Sequence, residues 1–257
     1  MSMSTALYYR GINLGNYGAY LVGWSEDATA EVSVPFMPTP LMIGGVSGMP
    51  IIGAKTLSIE LLVGAASSTQ LQSNLDLIAS TLSPVNGLGN LQFGFHAALP
   101  DNQKRYYSAI LTGAIKQDRL SATSAHLSFQ MFCPYGCAFS STLQTGNVVA
   151  GKFPESGVIY GNMPAPAIIT FTPGTSMSGM NLSVADTGRN FSISVSLGVG
   201  DSLVIDATTG IVWKNSSDVT MYVSDTAWFP WVACGQQNTI TTTAQGTLQC
   251  SVRGRFL

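Results

Sequence analysis

The chain has 257 residues, of which 46% are hydrophobic and only 9% charged, with a net charge of −2. This composition supports a large buried core and excludes intrinsic disorder. Its 11 Lys and Arg form no basic run, which excludes binding to nucleic acid through phosphate neutralisation, and no stretch approaches the roughly 18 apolar residues of a spanning helix.

In chain order, the opening MSMSTALYYR lacks the charged and apolar regions of a secretion signal, so synthesis in the cytoplasm is expected. A surface so poor in Lys and Glu is a solubility risk for a free monomer, and other subunits are expected to cover much of it. Residues 38–53, PTPLMIGGVSGMPIIG, read as a long loop broken by Gly and Pro that carries Leu41, Met42, Ile43, Met49, Ile51 and Ile52. Such a loop is expected to meet a partner; the alternative is that it folds back over its own domain.

KTLSIELLV places Leu57, Ile59, Leu61 and Val63 on one face, the period of a half-buried strand. Leu71, Leu75, Ile78 and Leu82 then recur at helical spacing, with Ser67 and Gln70 suited to a capping box and Pro84 ending the segment, which predicts a helix over Ser68–Leu82. LQFGFH aligns Leu91, Phe93 and Phe95, and RYYSAILTGAIK and AHLSFQMFC follow as strands. His96 and His126 fall opposite the apolar positions and read as exposed strand histidines rather than general bases. One helix on a small barrel or sheet is the expectation for this half.

Cys133 and Cys137 in CPYGC have no nearby His or second pair, so a structural zinc would need Cys234 and Cys250 from far along the chain. Reduced, buried thiols are the plainer reading. A Gly, Ser and Thr-rich stretch near residues 140–155 lacks a sustained period and reads as the linker between a domain over 1–145 and another over 146–257.

Beyond it, PAIITF, MNLSVAD, FSISVSL, SLVID, GIVWKN, VTMYV, NTITTT and TLQCSVRG recur at about ten-residue spacing, the pattern of an antiparallel sandwich. In GDSLVIDATTGIVWKN, Leu203 and Ile205 point inward, Asp206 starts a turn and Gly210 supplies a positive φ. Asp201 and Asp206 lie at opposite ends of one strand, too far apart to share a metal or a water.

Trp228 and Trp231 in SDTAWFPWVACG could stack on sugar rings, as in a carbohydrate-binding module, or pack between sheets, as the alternation of Phe229 with Trp231 suggests. Asp225, beside them, is the nearest approach to a glycosidase carboxylate. No G-x-S-x-G, H-E-x-x-H or P-loop occurs, and no enzyme activity, cofactor or metal is expected. Arg253 and Arg255 share a face of the closing strand, where pairing with a neighbour's carboxylate or the chain terminus is expected.

The pairs Gly200–Asp201, Phe229–Pro230, Gly235 and Asn238, and Arg253 with Arg255 resemble the second domain of the distal tail proteins of long-tailed phages. LGNLQFGF, KRYYSAIL and LSFQMFCPYG are similar to their N-terminal belt domain. The resemblance implies a mainly β chain, with an N-terminal β-barrel or belt carrying one helix and a C-terminal galectin-like β-sandwich. It further implies a homo-hexameric ring at the tail tip that joins the tail-tube protein to tail-hub and fibre proteins and lets the genome pass. No catalysis, sequence-specific nucleic-acid binding or membrane insertion goes with that role.

Overall fold

The computed structural model describes residues 5–26, 32–33, 36–38, 45–47 and 51–257. The chain divides into two compact units. One holds residues up to Pro100 together with Lys104–Phe139 and Leu257, and the other holds Asp101–Gln103 and Ser140–Phe256.

The first unit begins with β1 (Leu7–Tyr9), β2 (Ile12–Asn13) and β3 (Ala19–Glu26). Next come two short antiparallel pairs: β4 (Val32–Ser33) with β7 (Ile51–Ile52), and between them β5 (Phe36–Pro38) with β6 (Gly45–Ser47). The stretch expected to be a loop therefore contains strands nested as a hairpin; Gly and Pro masked the signal, because they interrupt alternation without preventing short edge pairings. Leu41, Met42, Ile43 and Met49 lie outside the described residues.

β8 (Lys55–Gly64) alternates perfectly, with Leu57, Ile59, Leu61 and Val63 all fully buried. Helix α1 occupies Ser68–Leu82, as the spacing predicts, and buries Leu71, Leu75, Ile78 and Leu82. The Ser67 side chain accepts from the Gln70 N–H at 3.2 Å, satisfying one of the donors a helix start leaves open. β9 (Gly89–Phe93) is followed at once by a four-residue helix, α2 (Gly94–Ala97).

β10 (Arg105–Arg119) pairs β9 through Tyr107–Ala109 and then β11 (Ser124–Cys133) from Ile110 onward. The sheets β10-β11-β8-β3 and β10-β9-β1-β2 thus share one strand, which bulges between Thr112 and Lys116, where Gly113 has φ 70°. A bulge of this kind lets a long strand bend from one sheet into another.

α2 overturns one expectation. Alternation carried through Phe95 and His96 would leave His96 outward, but the strand stops at Phe93 and a helical turn rotates the imidazole inward, to 2% exposure. His126 does stay on the outer face of β11, half-buried and 3.6 Å from Glu60.

β12 (Ala138–Asn147), which enters the second unit at Ser140, is a regular strand where a linker was expected to start; its Ser and Thr residues keep an extended backbone paired to the closing strand. The strands that follow are β13 (Lys152–Phe153), β14 (Ala165–Pro173), β15 (Met180–Val184), β16 (Arg189–Ile193), β17 (Leu203–Asp206), β18 (Ile211–Lys214), β19 (Ser217–Asp218), β20 (Trp231–Val232), β21 (Asn238–Thr242) and β22 (Gly246–Phe256). VTMYV is not a strand; Thr220–Tyr222 forms a 3-10 turn, held where the Thr220 hydroxyl accepts from the Val212 N–H.

One sheet runs β19-β18-β17-β14-β22-β12 and the other β13-β21-β15-β16. Between them lies an apolar core that includes Phe171, Phe191, Leu182, Ile205, Ile240 and Cys250. β22 crosses the 160–162 segment so closely that a Cβ on Gly254 would sit 1.6 Å from the Tyr160 carbonyl oxygen.

Candidate functional site

The motif residues of the second unit are largely structural. Asn238 is fully buried, and its side chain accepts from the Ala233 N–H at 2.7 Å and donates to the Ala233 carbonyl at 2.7 Å. An amide placed this way completes a strand-like pair inside a turn, with Gly235 at φ 81° taking the left-handed corner. Pro230 is buried, its carbonyl accepting from the Ala167 N–H at 3.0 Å, and Phe229 packs on Phe191.

The two aspartates serve separate turns. Asp206 accepts from the Thr208 and Thr209 N–H groups and starts the β17–β18 hairpin. Asp201 accepts from Asn215 and the Gly198 N–H, both at 2.7 Å, with Lys214 Nζ 3.1 Å away. The Asn215 and Gly198 hydrogen bonds, with Lys214, hold its carboxyl at about 2.

The sequence-predicted surface residues fall in three places. Trp228 is 50% exposed, with the Arg189 guanidinium 4.5 Å from its ring centroid; Trp231 lies between Arg189 at 5.8 Å and Arg255 at 5.1 Å. Guanidinium and indole thus alternate in one row, each cation facing a ring. Arg253 instead donates to the Ser140 and Ser141 carbonyls at 2.8 and 3.1 Å, which ties β22 to β12. Ile51 and Ile52 form β7, and Ile52 is exposed.

Sequence reasoning missed a polar cluster inside the first unit. β3 bulges at Val22, so that Trp24 faces the buried Ile59 and Glu26 the buried Leu57. Continued alternation from Ala19 and Leu21 would have turned both outward. Glu26 instead meets Lys55 Nζ at 3.5 Å and accepts from the Tyr107 hydroxyl at 2.7 Å, while Trp24 stacks against Phe93 and Phe95. Burial pushes the Tyr107 hydroxyl up, helped by its bond to Glu26. Nearby, Arg105 Nε donates to His96 Nε2 at 3.2 Å, and burial with that cation lowers the imidazole to about 4.

The four cysteines are free thiols. Burial raises Cys133 to about 12 and also raises Cys234 and Cys250. A thiol held protonated neither attacks an electrophile nor ligates a metal readily. The polar cluster of the first unit is hydrogen-bonded throughout except at His96 Nδ1, which is buried and has no hydrogen-bond partner.

Residues 160–255 match the profile of the siphovirus-type tail component, C-terminal domain. The chain thus carries that domain over most of its second unit. Its fold aligns with the crystal structure of SPP1 Dit, described as a paradigm of the hub adsorption apparatus in Gram-positive infecting phages. That alignment has a TM-score of 0.74 at 13% identity and covers 98% of this chain and 99% of that one. Two structures of the phage P2 baseplate in its activated conformation also align. The one with Ca has a TM-score of 0.46 at 11% identity over 95% of this chain and 92% of that one; the one with Sr has 0.47 at 10% over 94% and 92%. No curated protein matches by sequence. The chain therefore has the mainly β fold of SPP1 Dit, with the C-terminal domain of a siphovirus-type tail component over residues 160–255.

Proposed function

We propose that six copies of this chain close into a ring at the tail tip, joining the tail-tube protein to tail-hub and fibre proteins and leaving a channel for the genome. The observation that carries this reading is the whole-chain likeness to SPP1 Dit, which extends through both units rather than stopping at the C-terminal domain. Two features of the first unit support it. β3 ends its sheet among the described strands and presents Tyr20 and Val22, 53% and 55% exposed, without a Lys or Pro to blunt the edge. A head-to-tail ring covers such an edge in every subunit.

The segment over residues 38–53, with Leu41, Met42, Ile43, Met49, Ile51 and Ile52, is the proposed subunit contact, since thioethers adapt readily to a partner's surface. Arg255, stacked on Trp231, and Arg253 brace the domain that faces the attached proteins. The role needs no cofactor and no catalysis; the protein is made in the host cytoplasm and resides in the virion tail tip.

Light scattering and negative-stain images of the purified chain test the reading, with six-fold rings expected. Met42→Asp with Met49→Asp is expected to give monomers whose melting temperature is unchanged. Rings of another order overturn the stoichiometry, and rings that persist in the double variant overturn the assigned contact.

A further inference from the structure

The outer face of the β13-β21-β15-β16 sheet carries an ordered grid of neutral polar side chains. Ser183 stands opposite Asn190 on one side and Thr241 on the other. Asn181 stands opposite Ser192, and the Thr243 N–H donates to the Asn181 carbonyl at 3.3 Å, which places Thr243 in the same row. The intervening Leu182, Val184, Phe191, Ile193 and Ile240 are buried, so the six polar residues point away from the core. Rows about 7 Å apart cross columns about 5 Å apart, the spacing of alternate residues and neighbouring strands.

These residues line a groove of about 410 Å³ with no charged side chain in its wall. Among the described residues, none makes a hydrogen bond through the side chains of Asn181, Ser183, Asn190, Ser192 or Thr241. At the β16 border the Trp228 N–H donates to the Asn190 carbonyl at 2.8 Å, while Arg189 stacks on the half-exposed indole and steadies it. Thr226 and Ala227, which precede Trp228 in the chain, complete the wall of the groove.

In a chain with only 9% charged residues, what distinguishes this face is the register that sets its polar groups side by side. It offers only amides and hydroxyls, groups that both donate and accept, beside one aromatic face. Neither an ionic nor an apolar partner matches that set. A neutral ligand dense in hydroxyl groups, with a C–H face to lay on an indole, does.

We propose that this groove is a binding site for neutral glycans, with the two Asn–Ser–Thr rows contacting sugar hydroxyls and Trp228 stacking on one ring. Trp231, enclosed between two arginines, supports Arg189 rather than the sugar. The site draws on one sheet of the second unit and on the 226–228 segment, and on none of the residues proposed as the subunit contact.

Affinity electrophoresis of the full chain tests it, in gels carrying dextran, galactomannan or xyloglucan, with dextran sulfate as the charged control. Retardation by at least one neutral polysaccharide is expected. Asn181→Ala with Asn190→Ala, or Trp228→Ala, is expected to weaken it at least about tenfold, whereas Trp228→Phe, which keeps a ring, retains most of it. Thr241→Val, an outward change that leaves the core untouched, provides a second folded variant and is expected to weaken binding severalfold. Circular dichroism and particle size, measured on the same samples, separate loss of binding from loss of fold or of the ring. Unaltered migration in every neutral gel, retardation by dextran sulfate alone, or retardation undiminished in the Asn181/Asn190 variant overturns the proposal.

Discussion

Inside the first unit Lys55 and His96 are 3% and 2% exposed and are partnered by Glu26 and Arg105, whereas the sandwich interior is apolar but for groups such as Asn238 that serve the backbone. The difference follows from how each unit curves its sheets. The first does so with bulges, at Val22 in β3 and after Thr112 in β10, and the bulge in β3 turns a carboxylate inward. The second keeps regular strands and brings backbones together at Gly161, Gly179, Gly246 and Gly254, a device the first unit uses at Gly18 against the Gly64 carbonyl. Charge buried by a bulge titrates or must be paired; backbone packed on backbone does neither but tolerates no added atom. The two units should therefore fail under different challenges.

The largest effect is expected at the glycine crossing. Gly254→Val places a Cβ 1.6 Å from the Tyr160 oxygen, and neither backbone can yield. A loss above about 4 kcal/mol, enough to leave the sandwich unfolded by circular dichroism, is expected. The control is Gly113→Ala in the first unit, where nothing lies within 4 Å of the added atom and only φ 70° opposes it. That variant should cost about 1 kcal/mol. Equal losses would erase the distinction drawn between the two units.

Next is the buried ion pair. Glu26→Gln leaves the Lys55 ammonium enclosed without its counter-charge, and a destabilisation of about 3–5 kcal/mol in urea titration is expected. Adding Lys55→Met to that variant should recover most of the loss, because an apolar side chain of similar length needs no partner. If the double variant is as unstable as the single one, packing and not charge governs the site.

The outcome at Glu26 also marks where the sequence stops being informative. The helix over Ser68–Leu82 was legible because four leucine or isoleucine positions and the Ser67 cap agree on it. The β17–β18 hairpin was legible for the same reason, since Asp206 and Gly210 are the residues its turn requires. Trp24, Glu26 and His96 were not, because each follows a point where the period changes: a bulge at Val22, or a helical turn after Phe93. Alternation extrapolated across such a point gives the wrong face. The groove was half legible. Trp228 stood out by its type, but Asn181, Ser183, Asn190 and Ser192 resemble any outward strand positions until the register sets them side by side.

A pH titration separates the two interiors with a smaller effect. His96 has a folded value of about 4 against an ordinary 6.5, set first by burial and then by Arg105. Between those values the unfolded chain binds a proton that the folded chain refuses, so stability is full above pH 6.5 and declines as pH falls to 4. The decline is expected to be on the order of 2 kcal/mol. His96→Gln keeps an acceptor for Arg105 without titrating and should flatten the curve in that window. An unchanged slope would assign it to another group.

The smallest effect belongs to the exposed turn of the sandwich. Asp201 has its carboxyl lowered to about 2 from 3.8, first by the Asn215 side chain, then by the Gly198 N–H and Lys214. A depressed carboxylate contributes stability above its unfolded value and loses it as pH falls through the folded one, here between about pH 4 and pH 2. This window lies below that of His96, so an acid titration should reach the first unit before the second. Because the group is solvated, water and salt screen its interactions, and Asp201→Asn should lower the melting temperature at pH 7 by no more than a few degrees. The variant should also lose the pH 4 to 2 component while keeping the His96 component intact. A loss of both together would mean that the two units unfold as one body, and that the contrast between their interiors has no separate thermodynamic expression.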